Sequence, residues 1–356
     1  MIDWIVVLGY LCTIVLFSFN FIVLSAEARR SYQLNHQESF YSLVLSAGCI
    51  LSSFIILISI ATFDFIMSVI ILIIVGTIFL FFGASNLIYF FYKRYKGESQ
   101  KLIDFARRES VHHELFRKLF HILLFIGIIA MLVIAFTILN NLLAQGSSIP
   151  NLTEIIENYW GSTDGQEMYI LHRPEFGQAI ILMLFMILTT IFTMNEGSRL
   201  GKWFYFPLRQ LASIGIREKE KNTVASYVYF SVGMIFAATF VYPIPLFSII
   251  GILCFADTAA SLFGRKYGKH KLQFNKTKSW EGSFGGVIIC IIVTFLLVGP
   301  IWGLAATTMF FIVDAVTPRL PLSDNIGIPV AVTGVYILLS ALQIPMYSIL
   351  FFPFIG

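Results

Sequence analysis

Apolar residues run through this chain in long blocks separated by short polar stretches. Blocks of about 18 or more such residues are long enough to cross a bilayer as helices. They fall at 2–26, 40–63, 65–92, 119–144, 177–194, 224–242, 244–263, 283–299, 301–317 and 327–352. The pattern predicts an all-α, polytopic integral membrane helical bundle of about ten transmembrane helices. Pro345 interrupts the last block, whose end is therefore expected to be broken or re-entrant. The first block is too long for a signal peptide and has no small-residue cleavage site, so it reads as a retained span. There is no low-complexity linker and no internal repeat, which makes 1–356 a single membrane domain. Composition agrees: 58 % hydrophobic residues, 12 % charged residues and a mean hydropathy of +0.83 exclude a soluble globular domain.

Charge orients the spans. Arg29 and Arg30 follow the first block, and a basic group from Lys93 to Lys118 follows the third. Further groups lie in 195–223 and 264–282, and Arg319 comes later. Arg173 alone lies in an opposite loop. Positive residues collect on the cytoplasmic side, so 93–118, 195–223 and 264–282 are expected to be cytoplasmic loops. The acidic 145–176 segment, with its Asn151-Leu152-Thr153 sequon, is expected on the other side. The net charge of +4 is carried by loop clusters without a nucleic-acid motif, so the expected partner is the membrane and not nucleic acid. Cys12, Cys49, Cys254 and Cys290 all fall in apolar blocks, with no metal-ligand or disulfide spacing.

One polar stretch, 254–286, carries the chemistry. Arg265, Lys266, Lys269, Lys271, Lys276 and Lys278 crowd into it, with Asp257 before them and Glu281 after. Gly264, Gly268, Gly282, Gly285 and Gly286 punctuate it. Lys and Arg neutralise phosphate, glycine admits close backbone approach, and a nearby carboxylate suits a magnesium ion bridging phosphates. The stretch reads as a polyphosphate site at a membrane surface, or else as a plain positive-inside loop.

The order of residues resembles the polyprenol kinase family, CTP-dependent lipid kinases that include dolichol and phytol kinases, related to phosphatidate cytidylyltransferases. The likeness rests on Ala256-Asp257-Thr258-Ala259-Ala260-Ser261, Gly264-Arg265-Lys266-Tyr267-Gly268 and Lys278-Ser279-Trp280-Glu281-Gly282. Ala256 replaces the family's usual glycine. Asp314-Ala315, Asp324-Asn325 with Pro329, Arg117-Lys118-Leu119-Phe120-His121 and Glu196-x-x-Arg199 add shorter matches.

The resemblance implies a CTP-dependent kinase that moves the γ-phosphate to the hydroxyl of a membrane isoprenoid alcohol, dolichol, polyprenol or phytol-like. It implies CTP as co-substrate and Mg²⁺ or another divalent cation. The active site would be cytoplasmic, on an endoplasmic-reticulum-type endomembrane or a prokaryotic plasma membrane. Asp257, Lys278 and Asp324 are then the catalytic candidates, with Asp257 and Asp324 as metal ligands. Arg265, Lys269, Lys276, Lys278, Ser279, Glu281 and Gly282 are the nucleotide-binding candidates. Arg117, Lys118, His121, Glu196, Arg199 and Asn325 are assigned to the lipid and phosphate side. Plainer roles stand beside these: a helix cap for Ser279, a turn residue for Asp324, and mutual pairing for Glu196 and Arg199. Asp314 sits in or at the end of an apolar run, where an ionisable residue is functional by default. Trp280 and Gly285-Gly286 lean toward the cytidylyltransferases, but the aspartate-rich signature near the end of that family is missing from this chain. A transporter is the third reading.

Overall fold

The computed structural model describes residues 2–60, 65–96, 119, 122–123, 125–130, 176–201, 204–207, 216, 220–317 and 319–347. Seven of its helices are long and apolar enough to cross a membrane, and the chain is an integral membrane protein of helical class. Ten spans are not confirmed. The 119–144 block lies mostly outside the described residues. The 224–242 block is a helix of only 15 residues, Ser226–Phe240, below the length that defines a span. The chain divides into two compact units.

The first unit holds α1 (Ile2–Gln33), α2 (Gln37–Ile60), α3 (Phe65–Lys96), and most of α4 (Phe176–Glu196) and of α5 (Ser226–Phe240). Arg29 and Arg30, expected in a loop, belong to α1, with Arg30 in its last turn. The chain reverses at Asn35, whose φ of 56° is a left-handed conformation that asparagine tolerates better than most residues. His36 N–H then bonds back to Ser31 O at 2.9 Å. Lipid offers apolar helices no hydrophobic drive to associate, so polar side chains act as glue. Asn20 of α1 does this with α4. Its amide donates to Thr190 Oγ1 at 2.9 Å, and its carbonyl accepts from Thr193 Oγ1 at 2.6 Å.

The second unit is built on one continuous helical rod and one helical hairpin. The rod comprises α6 (Pro243–Gly251), a π-helical turn (Ile252–Ala256) and α7 (Asp257–Tyr267). Pro243 starts it, where its missing N–H costs nothing. A short antiparallel ribbon follows, β1 (Lys271–Leu272) and β2 (Asn275–Ser279), which the sequence reading had left as loop. Then comes α8 (Trp280–Val316), interrupted at Gly299, where φ is 80° and ψ 179°. The partners across it run in opposite directions. Ser283 meets Asp314, Cys290 meets Thr307, and Thr294 meets Gly303. The element is therefore two antiparallel helices joined at Gly299-Pro300, matching the 283–299 and 301–317 blocks. The last helix, α9 (Asp324–Ala341), counts with the first unit up to Ile326 and with the second from Gly327, and it ends before Pro345, as the interrupted block suggested.

Glycine explains how the rod and hairpin meet. Ala260 and Gly264 on the rod, and Gly282 and Gly286 on α8, form two small-xxx-small pairs, the spacing that lets membrane helices touch backbone to backbone. A Cβ on Gly282 would stand 2.8 Å from Ala260 O and from Gly264 Cα. One on Gly286 would stand 2.8 Å from Ala260 Cβ. The sequence reading had these glycines opening the backbone to a ligand; in the structure, Gly282 and Gly286 are buried in helix contact.

Candidate functional site

The ribbon is fastened at three points, and this positions Lys278. Asn275 is buried, and its amide donates to Ala315 O at 2.9 Å and Thr317 O at 2.7 Å, two carbonyls at the end of α8. The last carbonyls of a helix have no partner within it, so this side chain both caps the hairpin and tethers the ribbon to it. Glu281 accepts from the backbone N–H of His270 at 3.0 Å and meets its Nδ1 at 2.6 Å. Trp280 N–H closes the loop on His270 O at 2.9 Å. Of the nucleotide-binding candidates, Glu281 thus has a local bracing role and Gly282 a packing role.

Lys278 lies on the ribbon with its side chain 24 % exposed, and its Nζ meets Asp314 Oδ1 at 2.5 Å. Asp314 is buried in the hairpin's second helix, and its other oxygen accepts from Ser283 Oγ at 3.1 Å. Ser279 is the N-cap of α8: its hydroxyl accepts from Gly282 N–H at 3.3 Å. A helix start attracts anions through its free N–H groups and its dipole. Lys278 therefore stands where the start of α8 and a lysine charge reinforce each other. Arg265, Lys266, Lys269, Lys271 and Lys276 are exposed around it.

Asp257 is deeper than its sequence position suggested. It is not at the end of the rod but ten residues before its last residue, Tyr267, and it is buried. Gly264 meets Gly282 and Ala260 meets Gly286, so Asp257 stands level with Ile289. Asp314 stands level with Ser283. At 1.5 Å per residue, Asp257 is about 9 Å further along the bundle than Asp314. It follows directly on the π-helical turn Ile252–Ala256, a distortion that helices keep mostly at functional positions. Lys278, Asp314 and Asp257 make a ladder of charge descending from the surface into the second unit. Asp314 completes it through the ionisable-residue rule, although it was no leading candidate.

The lipid-side candidates have different fates. Arg117, Lys118 and His121 lie outside the described residues, as do 97–118 and 145–175. Glu196 and Arg199 pair with each other, Nε to Oε1 at 3.1 Å and Nη2 to Oε2 at 2.5 Å. The remaining Arg199 hydrogens go to the carbonyls of Glu220 at 3.2 Å, Lys221 at 2.7 Å and Thr223 at 2.6 Å. A guanidinium has five N–H donors, and all five are used inside the first unit. Arg199 has none left for a phosphate. Glu196 also accepts from Tyr227 Oη and from Ala225 N–H at 3.1 Å. Asp324 opens α9, where its charge suits the helix dipole, and it accepts from Asn325 N–H at 3.0 Å and Asn325 Nδ2 at 3.3 Å.

Among the described residues, no group of three or more His, Cys, Asp or Glu side chains is gathered to hold a metal. Magnesium does not require such a cage. It keeps waters and binds through one or two carboxylates together with substrate phosphates, so the isolated acidic residues here fit an ion that arrives with a nucleotide.

The chain is similar to curated lipid kinases of the polyprenol kinase type. It is 36 % identical over 76 residues to a phytol kinase of Synechocystis, covering 20 % of this chain and 33 % of the relative. It is 32 % identical over 93 residues to CTP-dependent diacylglycerol kinase 1 of Schizosaccharomyces pombe, covering 26 % and 40 %. It is 31 % identical over 122 residues to chloroplastic phytol kinase 1 of Arabidopsis thaliana, covering 29 % and 40 %. The matches span no more than 40 % of these relatives' lengths. No family model matches, and no solved structure matches.

Proposed function

We propose that this protein is a CTP-dependent lipid kinase that moves the γ-phosphate of CTP to the hydroxyl of a membrane isoprenoid alcohol. The observation that carries the reading is the ladder itself: a partly exposed lysine just before a helix start, tied to a buried aspartate, above a second buried aspartate. Relatives named as phytol kinases and as CTP-dependent diacylglycerol kinases support the donor and the lipid acceptor. They leave diacylglycerol as the competing alcohol.

Phosphoryl transfer is mostly positioning and charge stabilisation. On this reading, the arriving triphosphate takes Lys278 Nζ from Asp314, and phosphate oxygens replace the carboxylate as its partner. The exposed Arg265, Lys269 and Lys276 hold the rest of the nucleotide's charge, and the start of α8, capped by Ser279, adds N–H donors. Asp257 would hold the divalent ion, which spreads the charge that develops between the β- and γ-phosphates. The lipid oxygen bonds to the γ-phosphorus as the bridge to the β-phosphate breaks, CDP leaves, and the hydroxyl proton passes to a carboxylate. The positive-inside rule would put the ribbon in the cytoplasm, where CTP is found.

The test uses purified full-length protein in nanodiscs, with CTP labelled in either the α- or the γ-phosphate and with phytol or dioleoylglycerol as acceptor. The proposal expects γ-label in the lipid, with the α-label released in CDP and absent from the lipid. Label from the α-phosphate in the lipid would make the protein a cytidylyltransferase, and label in neither would end the enzyme reading. Faster labelling of dioleoylglycerol than of phytol would replace the isoprenoid acceptor.

A further inference from the structure

Phosphoryl transfer to an alcohol frees a proton, and a carboxylate within hydrogen-bond reach of the acceptor hydroxyl is suited to take it. Among the described residues, the second unit has three carboxylates, Asp257, Glu281 and Asp314. Glu281 is occupied beside the ribbon by the N–H and the ring of His270. Asp257 is the deepest of the three, and the kinase reading gives it to the divalent ion. Asp314 remains, and its surroundings are unlike those of the other two.

The two oxygens of Asp314 have partners of different kinds. Oδ2 accepts from Ser283 Oγ at 3.1 Å, across the hairpin, where Ser283 is 2 % and Asp314 1 % exposed. Oδ1 meets Lys278 Nζ at 2.5 Å, and that lysine comes from the ribbon with its side chain 24 % exposed. One oxygen is therefore fixed by packed helices. The other is paired with a cation that a phosphate can reach from outside.

A triphosphate that draws the ammonium onto its own oxygens releases Oδ1 from the lysine. A phosphate oxygen bonded to Nζ lies about 3 Å from it, which brings the phosphoryl group next to Asp314. An attacking hydroxyl at that group is then within reach of Oδ1, while Ser283 keeps the carboxylate aimed. Taking an ammonium from a buried carboxylate is costly, and a proton from the hydroxyl replaces the lost charge. Asp257 lies about 9 Å further along the bundle, so ion and carboxylate leave room between them for one phosphoryl group.

We infer that Asp314 is the general base of the transfer, an assignment that rests on the kinase reading, and that Lys278 keeps it covered until a nucleotide takes the lysine away. The lipid O–H gives its proton to Asp314 Oδ1 as its oxygen bonds to the γ-phosphorus. The bond from that phosphorus to the β,γ-bridging oxygen breaks, and its electron pair leaves with CDP. The proton then passes to water as Lys278 returns to Oδ1. Activation of the hydroxyl is in this way tied to the presence of CTP.

Removing the carboxylate separates this role from packing, because turnover and CTP binding should part company. Asp314→Asn keeps the shape and an acceptor for Ser283 but has no base, and it competes less for Lys278. In full-length protein in nanodiscs, γ-label transfer from CTP to phytol or dioleoylglycerol should fall by about 10²–10⁴, the usual worth of a general base. Labelled CTP, bound without acceptor, should bind at least as tightly as to wild type. Transfer within tenfold of wild type overturns the inference, and so does a loss of CTP binding that parallels the loss of turnover. Asp314→Glu keeps a carboxylate and should transfer label at least tenfold faster than Asp314→Asn; no such recovery also overturns it. Should Asp314→Asn not elute as folded protein, Asp314→Glu decides alone: slower transfer with CTP affinity kept supports the base, and parallel losses overturn it. Wild type that transfers no γ-label ends the kinase reading and the base with it. Transfer in wild type that survives in Asp314→Asn ends the base alone.

Discussion

Arg199 and Lys278 are both cations paired with a carboxylate in a membrane protein, and the structure treats them in opposite ways. Arg199 is buried and spends every donor on Glu196 and three backbone carbonyls. Lys278 is partly exposed, on a two-stranded ribbon, and reaches its carboxylate from the edge. The planar guanidinium suits a fixed multi-point knot, whereas the flexible ammonium suits exchange of partners. A match to a family motif does not separate the two roles. A count of donors already used does.

The contrast makes its strongest prediction at Arg199. Arg199→Ala leaves Glu196 buried without its cation, and breaking such a pair costs about 3–5 kcal/mol. Thermal unfolding in detergent should show a large fall, with Arg199→Lys rescuing little because it cannot reproduce the fork. If Arg199→Ala instead folds normally and loses only lipid phosphorylation, Arg199 is a functional cation and the comparison fails.

At the second cluster, the loss should be in rate and not in folding. Asp257→Asn and Lys278→Ala should each cost about 10²–10³ in γ-label transfer, the range for removing one positioned group. Lys278→Ala should also weaken CTP binding. Both variants should elute from size exclusion as wild type does. A collapse in stability matching that of Arg199→Ala would place Lys278 among the knots.

Helix contact comes next. Gly286→Val places branched carbon where even a Cβ would be 2.8 Å from Ala260 Cβ, and overpacking of this kind costs about 1–3 kcal/mol. The expected readout is a lower unfolding temperature with CTP affinity little changed in the folded fraction. A selective loss of CTP binding would return this glycine to the ligand role first read from the sequence.

The smallest effects belong to the collar. Lys266→Ala and Lys271→Ala remove exposed charges, and activity should stay within about twofold of wild type. Losses as large as that of Lys278→Ala would make the whole stretch one diffuse basic surface, without a distinguished lysine.

Much of this architecture was legible because apolar length is a strong signal. The Gly299-Pro300 break between two apolar runs announced the hairpin, and Pro345 announced the end of α9. The ribbon was hidden because its few residues are polar and lysine-rich, and what holds them is Asn275 reaching forty residues ahead to Ala315. The i, i+3 spacing suggested that Glu196 and Arg199 pair. It gave no hint that carbonyls from Glu220 to Thr223 would use the remaining donors. Glu27, buried in α1 beside Arg30, fell one residue outside the span read from the sequence. The first apolar block was closed at 26, which left the glutamate in a loop, whereas α1 carries it on to Gln33. An ionisable residue inside a continuous helix would have drawn notice.

The left-handed turn at Gly299 bears on how the protein is made. The hairpin contains no lysine or arginine between Trp280 and Val316, so the loop that must cross the bilayer is a neutral Gly-Pro pair flanked by apolar residues. Two such helices can enter the membrane together as one folded-back unit, with almost no polar cargo to translocate. Both ends then emerge on the same face. The ribbon that carries Lys278 and the segment that leads to Arg319 are delivered to one side of the membrane by a single insertion event.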